Sequence, residues 1–207
     1  MAVVERVPLS RERIADTALR FIDAHGLDAL SMRKLGAELG VEAMSLYNHV
    51  DNKDDLLAAV ADELYERVLA AYGDAEGDWR EKARHLAASY VAVASAHPEA
   101  FPLLLKRSPD TPAGVRFMDR VVAIFDDVTD DLRIAALAFS VVANWVVGTL
   151  VQQVGNTDDD TPEPAVEGFE RVAAFRHAML VELDRQERFD EGLEAVLDGI
   201  AVRYFDS

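Results

Sequence analysis

Between Leu30 and Leu57 the chain reads LSMRKLGAELGVEAMSLYNHVDNKDDLL, two short apolar patterns of helical period on either side of Gly40. Leu35 and Leu39 are four residues apart, and so are Leu46 and Val50. Two short helices joined by a tight, Gly-containing turn make a helix-turn-helix, whose second helix enters the DNA major groove. With Leu46 and Val50 facing inward, the 3.6-residue period turns Met44, Ser45 and Asn48 outward and sets Tyr47 and His49 on the flanks. A hydroxyl, an amide, a phenol and an imidazole can all hydrogen-bond to base edges or phosphates.

The helical period continues through the rest of the chain. β-branched residues fall into helical rather than alternating patterns, so an all-α fold is expected. Residues 1–9 read as a mobile arm. Ser10 can cap a first helix running to about His25, with Ile14, Ala18, Phe21 and Ile22 as its buried stripe and Gly26 as its stop. Ser31 can cap the second helix, and the third begins near Glu42. Asn52 can cap a long fourth helix, Lys53 to about Tyr72, with Asp54 and Asp55 well placed in its first turn. The cluster GDAEGD at 73–78 breaks the chain. Further helices are expected over 79–96, 101–106, 113–125, 130–154, 166–188 and 189–205, with Val115, Met118, Val122 and Phe125 in step on the third of these. The stretch 155–165 is an acidic, Pro-containing loop. The expected organisation is a three-helix DNA-binding domain over 1–55 and a larger helical bundle over 56–207 for effector binding and dimerisation.

Composition narrows the alternatives. The 207 residues can bury a sizeable core. With no cysteine, disulfides, thiolate metal sites and cysteine nucleophiles are excluded, and a cytoplasmic location is expected. No basic-then-apolar leader opens the chain, and no membrane partner is expected. The longest apolar candidate, 134–151, is interrupted by Asn144 and Gly148 and reads as a buried helix. The net charge of −17 runs against DNA binding, but it is unevenly spread. Residues 1–60 carry seven Lys/Arg against ten Asp/Glu, about −3, which leaves about −14 for the remainder. Contacts to phosphate should therefore be modest and salt-sensitive.

The patterns SxRKLGxELGV and SLYNHVDNKDDLL, in this order and spacing, resemble the tetracycline-repressor (TetR) family of one-component transcriptional regulators over about the first third of the chain. The segments ALAFSVVANWVVGTLVQQ and GLEAVLDGIAVRYFD resemble that repressor's C-terminal domain. The resemblance implies that Tyr47 and Lys53 hold the DNA backbone, that Arg33 reads a base, and that Ser45 and His49 meet DNA. Lys53 also adds a cation to free N–H groups at a helix start, which together attract an anion. Ala43, Met44 and Asn48 occupy the variable base-facing positions, where the founding member has Gln, Pro and Trp. A different operator is implied. The resemblance further implies a homodimer in which the helices near 130–154 and 189–205 pair with their mates in a four-helix bundle. Leu193, Val196, Leu197 and Ile200 are at bundle spacing.

A small-molecule effector is expected in the second domain. His97, Phe101, Leu104, Phe117, Val121, Phe139, Asn144, Trp145, Gln152, Phe175 and Met179 are the candidates to line its site. Asn144 and Gln152, eight apart on one apolar helix, fit equally an effector-orienting role or a polar register in a helix–helix interface. The founding repressor holds a magnesium–drug complex through a histidine and a glutamate. Here PLLLKR follows Phe101 without a histidine and Gln152 stands in the acid's place, which argues against that inducer and against a metal. An enzyme or a plain dimeric binding protein is the alternative. No Glu-x-x-His metal motif and no phosphate-binding Gly loop occur, and either alternative would leave the 30–57 motif unexplained.

Overall fold

A computed structural model describes residues 8–155, 169–178 and 183–205, and among these every regular element is helical. The helices are α1 (Arg11–His25), α2 (Met32–Leu39), α3 (Ala43–Leu46), α4 (Lys53–Tyr72), α5 (Trp79–Ala96), α6 (Pro102–Lys106), α7 (Pro112–Phe125), α8 (Leu132–Gly155), α9 (Glu170–His177) and α10 (Arg185–Ile200). Most of the expected N-terminal arm and acidic loop lie outside the described residues.

The chain divides into two compact units. One runs to Glu76 and resumes over Ala88–Ala123; the other takes Gly77–Ala87 and the chain from Ile124 onward. In the first, the caps follow from side-chain chemistry. Ser10 Oγ accepts from the Arg13 N–H at 3.2 Å, Ser31 Oγ from Lys34 N–H at 3.3 Å, and Asn52 Oδ1 from Asp55 N–H at 2.9 Å. α1 packs against α4 and α2, and its Ile14, Ala18, Leu19 and Ile22 are free of solvent. Phe21 is half-buried instead of in that stripe, and its ring lies 4.6 Å from the His25 ring. α7 is held to α4 by Asp62, whose carboxylate accepts from the Ala113 N–H at 2.6 Å, and by the Arg116–Glu66 ion pair.

The buried residues of α7 include Ala113, Phe117, Val121, Ile124 and, as expected, Phe125; Met118 is half-buried, whereas Val115 and Val122 are exposed. The expected and the observed stripes both satisfy the helical period. The aromatic partners decide between them: the Phe117 ring sits 5.2 Å from Tyr65 and 6.0 Å from Tyr90.

In the second unit α8 packs on α10. Gly192 is needed there, because a Cβ at that position would fall 2.0 Å from the Trp145 indole. Trp79, Phe125 and Phe205 cluster at ring separations of 5.0 to 6.2 Å. Two ion pairs, Arg80–Asp198 and Arg84–Glu194, join α5 to α10.

Three expectations for this unit change. The helix expected over 166–188 is found among the described residues as α9, Glu170–His177, with Leu183 and Asp184 outside any helix. The last helix starts at Arg185, not Phe189, because Asp184 caps it by accepting from Glu187 N–H at 2.8 Å. And α8 is not a buried helix: over Leu132–Gln152 its mean hydropathy is 2.0, long and apolar enough to cross a membrane, yet only 22% of that window is buried. Leu132, Leu137, Val141 and Val151 stand in solvent in the single chain.

Candidate nucleic-acid interface

The α2–α3 turn is fixed by two glycines with different duties. Gly40 ends α2 at φ 68°, ψ 32°, a left-handed conformation that glycine adopts without a Cβ clash. Gly36 lies inside α2, where a Cβ would meet Val41 O at 2.9 Å and the Ala43 backbone at 3.2 Å. The turn can close onto α2 only because Gly36 has no side chain. A Gly four residues before the turn is the sequence signal for this close approach.

Beyond the turn, Leu46 and Val50 are sealed in the core at 0% and 1% exposure. Their burial presents the opposite face. Met44 is 71% exposed, Tyr47 43%, and Asn48 is also exposed; Ala43, Ser45 and His49 are half-buried at the edges. α3 itself is a single turn, and Tyr47, Asn48 and His49 continue it as a hydrogen-bonded turn, with His49 N–H donating to Leu46 O at 2.9 Å. Arg33 projects from α2, exposed and with no partner among the described residues. A thioether, a phenol, an amide and a guanidinium thus stand on the α2–α3 pair over a rigid apolar floor, a combination able to meet base edges and phosphates.

The start of α4 completes the module. Lys53 Nζ donates to Leu30 O at 2.8 Å, which ties this ammonium to the entry of α2 and leaves its other protons free. Arg11 grips the same corner from α1. Its guanidinium donates to both oxygens of Asp55 at 2.6 and 2.8 Å and to the His49 carbonyl at 3.1 Å. The Arg11 hydrogen bonds, reinforced by the Asp51 N–H, lower the Asp55 pKa from its ordinary value to about 2.

The effector candidates fall into three groups. Phe101, Leu104, Phe117 and Val121 are buried in the first unit. There Phe101 and Phe117 meet Tyr90 at 6.1 and 6.0 Å, and burial pushes the Tyr65 and Tyr90 phenols above their ordinary pKa. These two tyrosines belong with the candidates. In the second unit Phe139 and Trp145 are half-buried, with the Trp145 indole N–H enclosed and unpartnered, whereas Asn144, Gln152 and Phe175 are exposed in the single chain. Met179 lies outside the described residues.

His97 is engaged at both nitrogens. Arg67 Nη1, which can only donate, sits 3.1 Å from Nε2, so Nδ1 carries the proton toward Asp23 Oδ2 at 2.8 Å. Arg67 also binds Asp16 and Glu63, so the imidazole joins a network spanning α1 and α4. Among the described residues no group of His, Asp or Glu converges in a way that could hold a metal ion.

Two family models match the chain: the bacterial regulatory proteins of the tetR family over residues 14–60, and the tetracyclin repressor-like C-terminal domain over 73–204. The chain belongs to the tetR family of bacterial transcriptional regulators. Among solved relatives, a candidate TetR family regulator from Streptomyces coelicolor A3(2) is 30% identical, with 94% of this chain and 100% of the other covered and a TM-score of 0.78. ActR from the same species, solved in complex with actinorhodin, is 28% identical at 95% and 98% coverage, with a TM-score of 0.76. The class D tetracycline repressor protein of Escherichia coli is 29% identical over 94% of this chain and 90% of its own. The first tetR-family match contains every DNA-contact candidate, and the second contains every effector candidate.

Proposed function

We propose that this tetR-family regulator is a homodimeric, cytoplasmic repressor that holds a palindromic operator through residues 1–55 and releases it when a largely apolar, aromatic effector binds within residues 56–207. The exposed row of Met44, Tyr47 and Asn48 over sealed Leu46 and Val50 carries the DNA half of this reading. Arg33 and Asn48 read bases, Tyr47 and Lys53 hold phosphates, and Ala43, Ser45 and His49 flank the contact. Random-site selection tests it: a palindrome with half-sites about one helical turn apart should be enriched. Failure to enrich any palindrome would count against sequence-specific regulation.

The apolar face of α8 supports dimerisation, because a helix of this hydropathy left in solvent is covered by a partner of its own kind in a soluble regulator. The aromatic cluster of Tyr65, Tyr90, Phe101 and Phe117 supports an aromatic effector, with two neutral phenols as orienting donors. Relatives act as repressors by name, and one of them, ActR, was solved in complex with actinorhodin. A thermal-shift screen of lipophilic aromatics, followed by titration of each hit with and without operator, tests the effector half. Reciprocity requires that an inducer bind less tightly when DNA is present. Asn144→Ala and Trp145→Ala separate the two roles of α8: loss of ligand with the dimer intact assigns them to the effector, and loss of the dimer assigns them to the interface.

A further inference from the structure

The first turn of α4 holds a conflict. Asp54 and Asp55 favour the helix by facing its positive end. The same two carboxylates directly follow Lys53, where the repressor reading brings a DNA phosphate, and two bare anions there would repel it. Each is instead covered by an arginine from elsewhere in the chain. Arg11 takes Asp55, as described above. Asp54 is taken by Arg107, in the loop after α6, through two parallel hydrogen bonds: Nη1 to Oδ1 at 2.8 Å and Nη2 to Oδ2 at 3.0 Å. Arg107 lies 53 residues away from Asp54 in sequence, outside the N-terminal family match.

We propose that Arg107 is a positioning residue for operator binding: by pairing bidentately with Asp54 it removes a negative charge from the phosphate approach at Lys53. The geometry suits masking more than support. The Asp54 side chain is 79% exposed and that of Arg107 25%, so the guanidinium sits against the protein and the acid it covers faces outward. A pair so exposed adds little to folding. Its charge still matters to an anion arriving from solvent, since unit charges about 4 Å apart interact by a few-fold in affinity even in water. The pairing also reconciles a DNA reader with an acidic N-terminal segment. One of the positive charges it uses is supplied by residue 107, beyond the segment that reads the bases.

The proposal rests on the DNA-binding reading, and the test separates the two. Affinities of wild type, Arg107→Gln, Asp54→Asn and the double variant would be measured by fluorescence anisotropy at low and high salt. The probes are labelled duplexes of about 30 base pairs, one enriched by selection and one of random sequence. Arg107→Gln should weaken both duplexes about three- to tenfold at low salt and less at high salt, because the restored repulsion is screened. The double variant should return to within about twofold of wild type, since without the Asp54 charge nothing is left to mask. A double variant as weak as Arg107→Gln alone overturns the proposal, as does an Arg107→Gln protein that binds like wild type. In the first case Arg107 would touch DNA itself or hold the fold, and Arg107→Gln melting below wild type would identify the latter. A wild type that binds neither duplex overturns the DNA-binding reading instead.

Discussion

The helix-turn-helix and α8 carry apolar residues at the same helical period, yet they use them in opposite ways. In the first, Leu35, Leu46 and Val50 are sealed inside the unit that contains them. In the second, Leu137 and Val141 remain 52% and 42% exposed although the helix is far more apolar. Periodicity states which side chains need cover. It does not state whether the cover comes from the same chain. The difference falls where function would place it: the reading head must be rigid as a monomer to present Met44, Tyr47 and Asn48, whereas a dimerising helix is completed only by its mate.

The largest effects should come from breaking that contrast at its sealed end. Leu46→Ala removes a side chain with no exposure and leaves a cavity under the reading face, at a cost of about 2–5 kcal/mol. Denaturant unfolding of this variant should show a lower midpoint, and operator binding should fall with it. Leu137→Ala, by contrast, should change unfolding of the isolated chain by no more than about 0.5 kcal/mol. A Leu137→Ala cost as large as that of Leu46→Ala, measured at a concentration where the protein is monomeric, would erase the distinction.

The proposed dimer sharpens the same comparison. Val141→Lys puts a charge on the exposed face of α8. If a second copy covers that face, burying an unpaired ammonium should cost at least about 2 kcal/mol of association, some thirtyfold in dimer affinity. Sedimentation velocity at micromolar protein reads it directly. An unchanged dimer would mean that α8 pairs with nothing at Val141.

How much of this was legible in the sequence differs between the two regions for a physical reason. Caps are local: Ser10, Ser31 and Asn52 each need only a side chain that can reach an N–H three residues on, and all three form as the sequence indicates. The start of α10 was equally local: Asp184 and Glu187 have the spacing of a capping pair, and that pair, not Phe189, marks the boundary. Which stripe of α7 is buried was not local, because Tyr65 and Tyr90 select Phe117 from other helices. Gly36 was hidden in the same sense: its lack of a Cβ matters only once Val41 folds back over it. Within the candidate site the outward residues of α3 could be named from the period alone. The arginines that hold Asp54 and Asp55 could not, since each comes from at least 44 residues away.

Local capping makes a smaller prediction. Asn52→Ala deletes the acceptor for the Asp55 N–H at the head of α4 and should cost about 1 kcal/mol of stability, with operator affinity reduced because Lys53 is the next residue. Asn52→Ser, which keeps a capping oxygen, should recover most of both. If the serine variant recovered stability but not affinity, the Asn52 amide would be a DNA contact in its own right.

The smallest effect concerns the pair that joins α1 to α4. Asp55 is lowered to about 2 chiefly by the Arg11 hydrogen bonds, against burial, which pushes the other way. A carboxylate whose folded pKa lies below its unfolded value stabilises the fold fully at pH above the unfolded value, 3.8 for this group, and loses that contribution as pH falls toward about 2. The full linkage value overstates the effect, because the Arg11 side chain is 42% exposed and water screens the pair. About 0.5 kcal/mol is the expected size after that discount. Asp55→Asn keeps an oxygen for the Asp51 N–H and removes only the charge. The stability gap between wild type and Asp55→Asn, read by urea unfolding, should therefore be constant from neutral pH down to about 5 and close between about 4 and 2. A gap that stayed open at pH 2 would assign the role of Asp55 to shape and hydrogen bonding alone. The α1–α4 corner would then be held like the sealed core beneath α3, without help from charge.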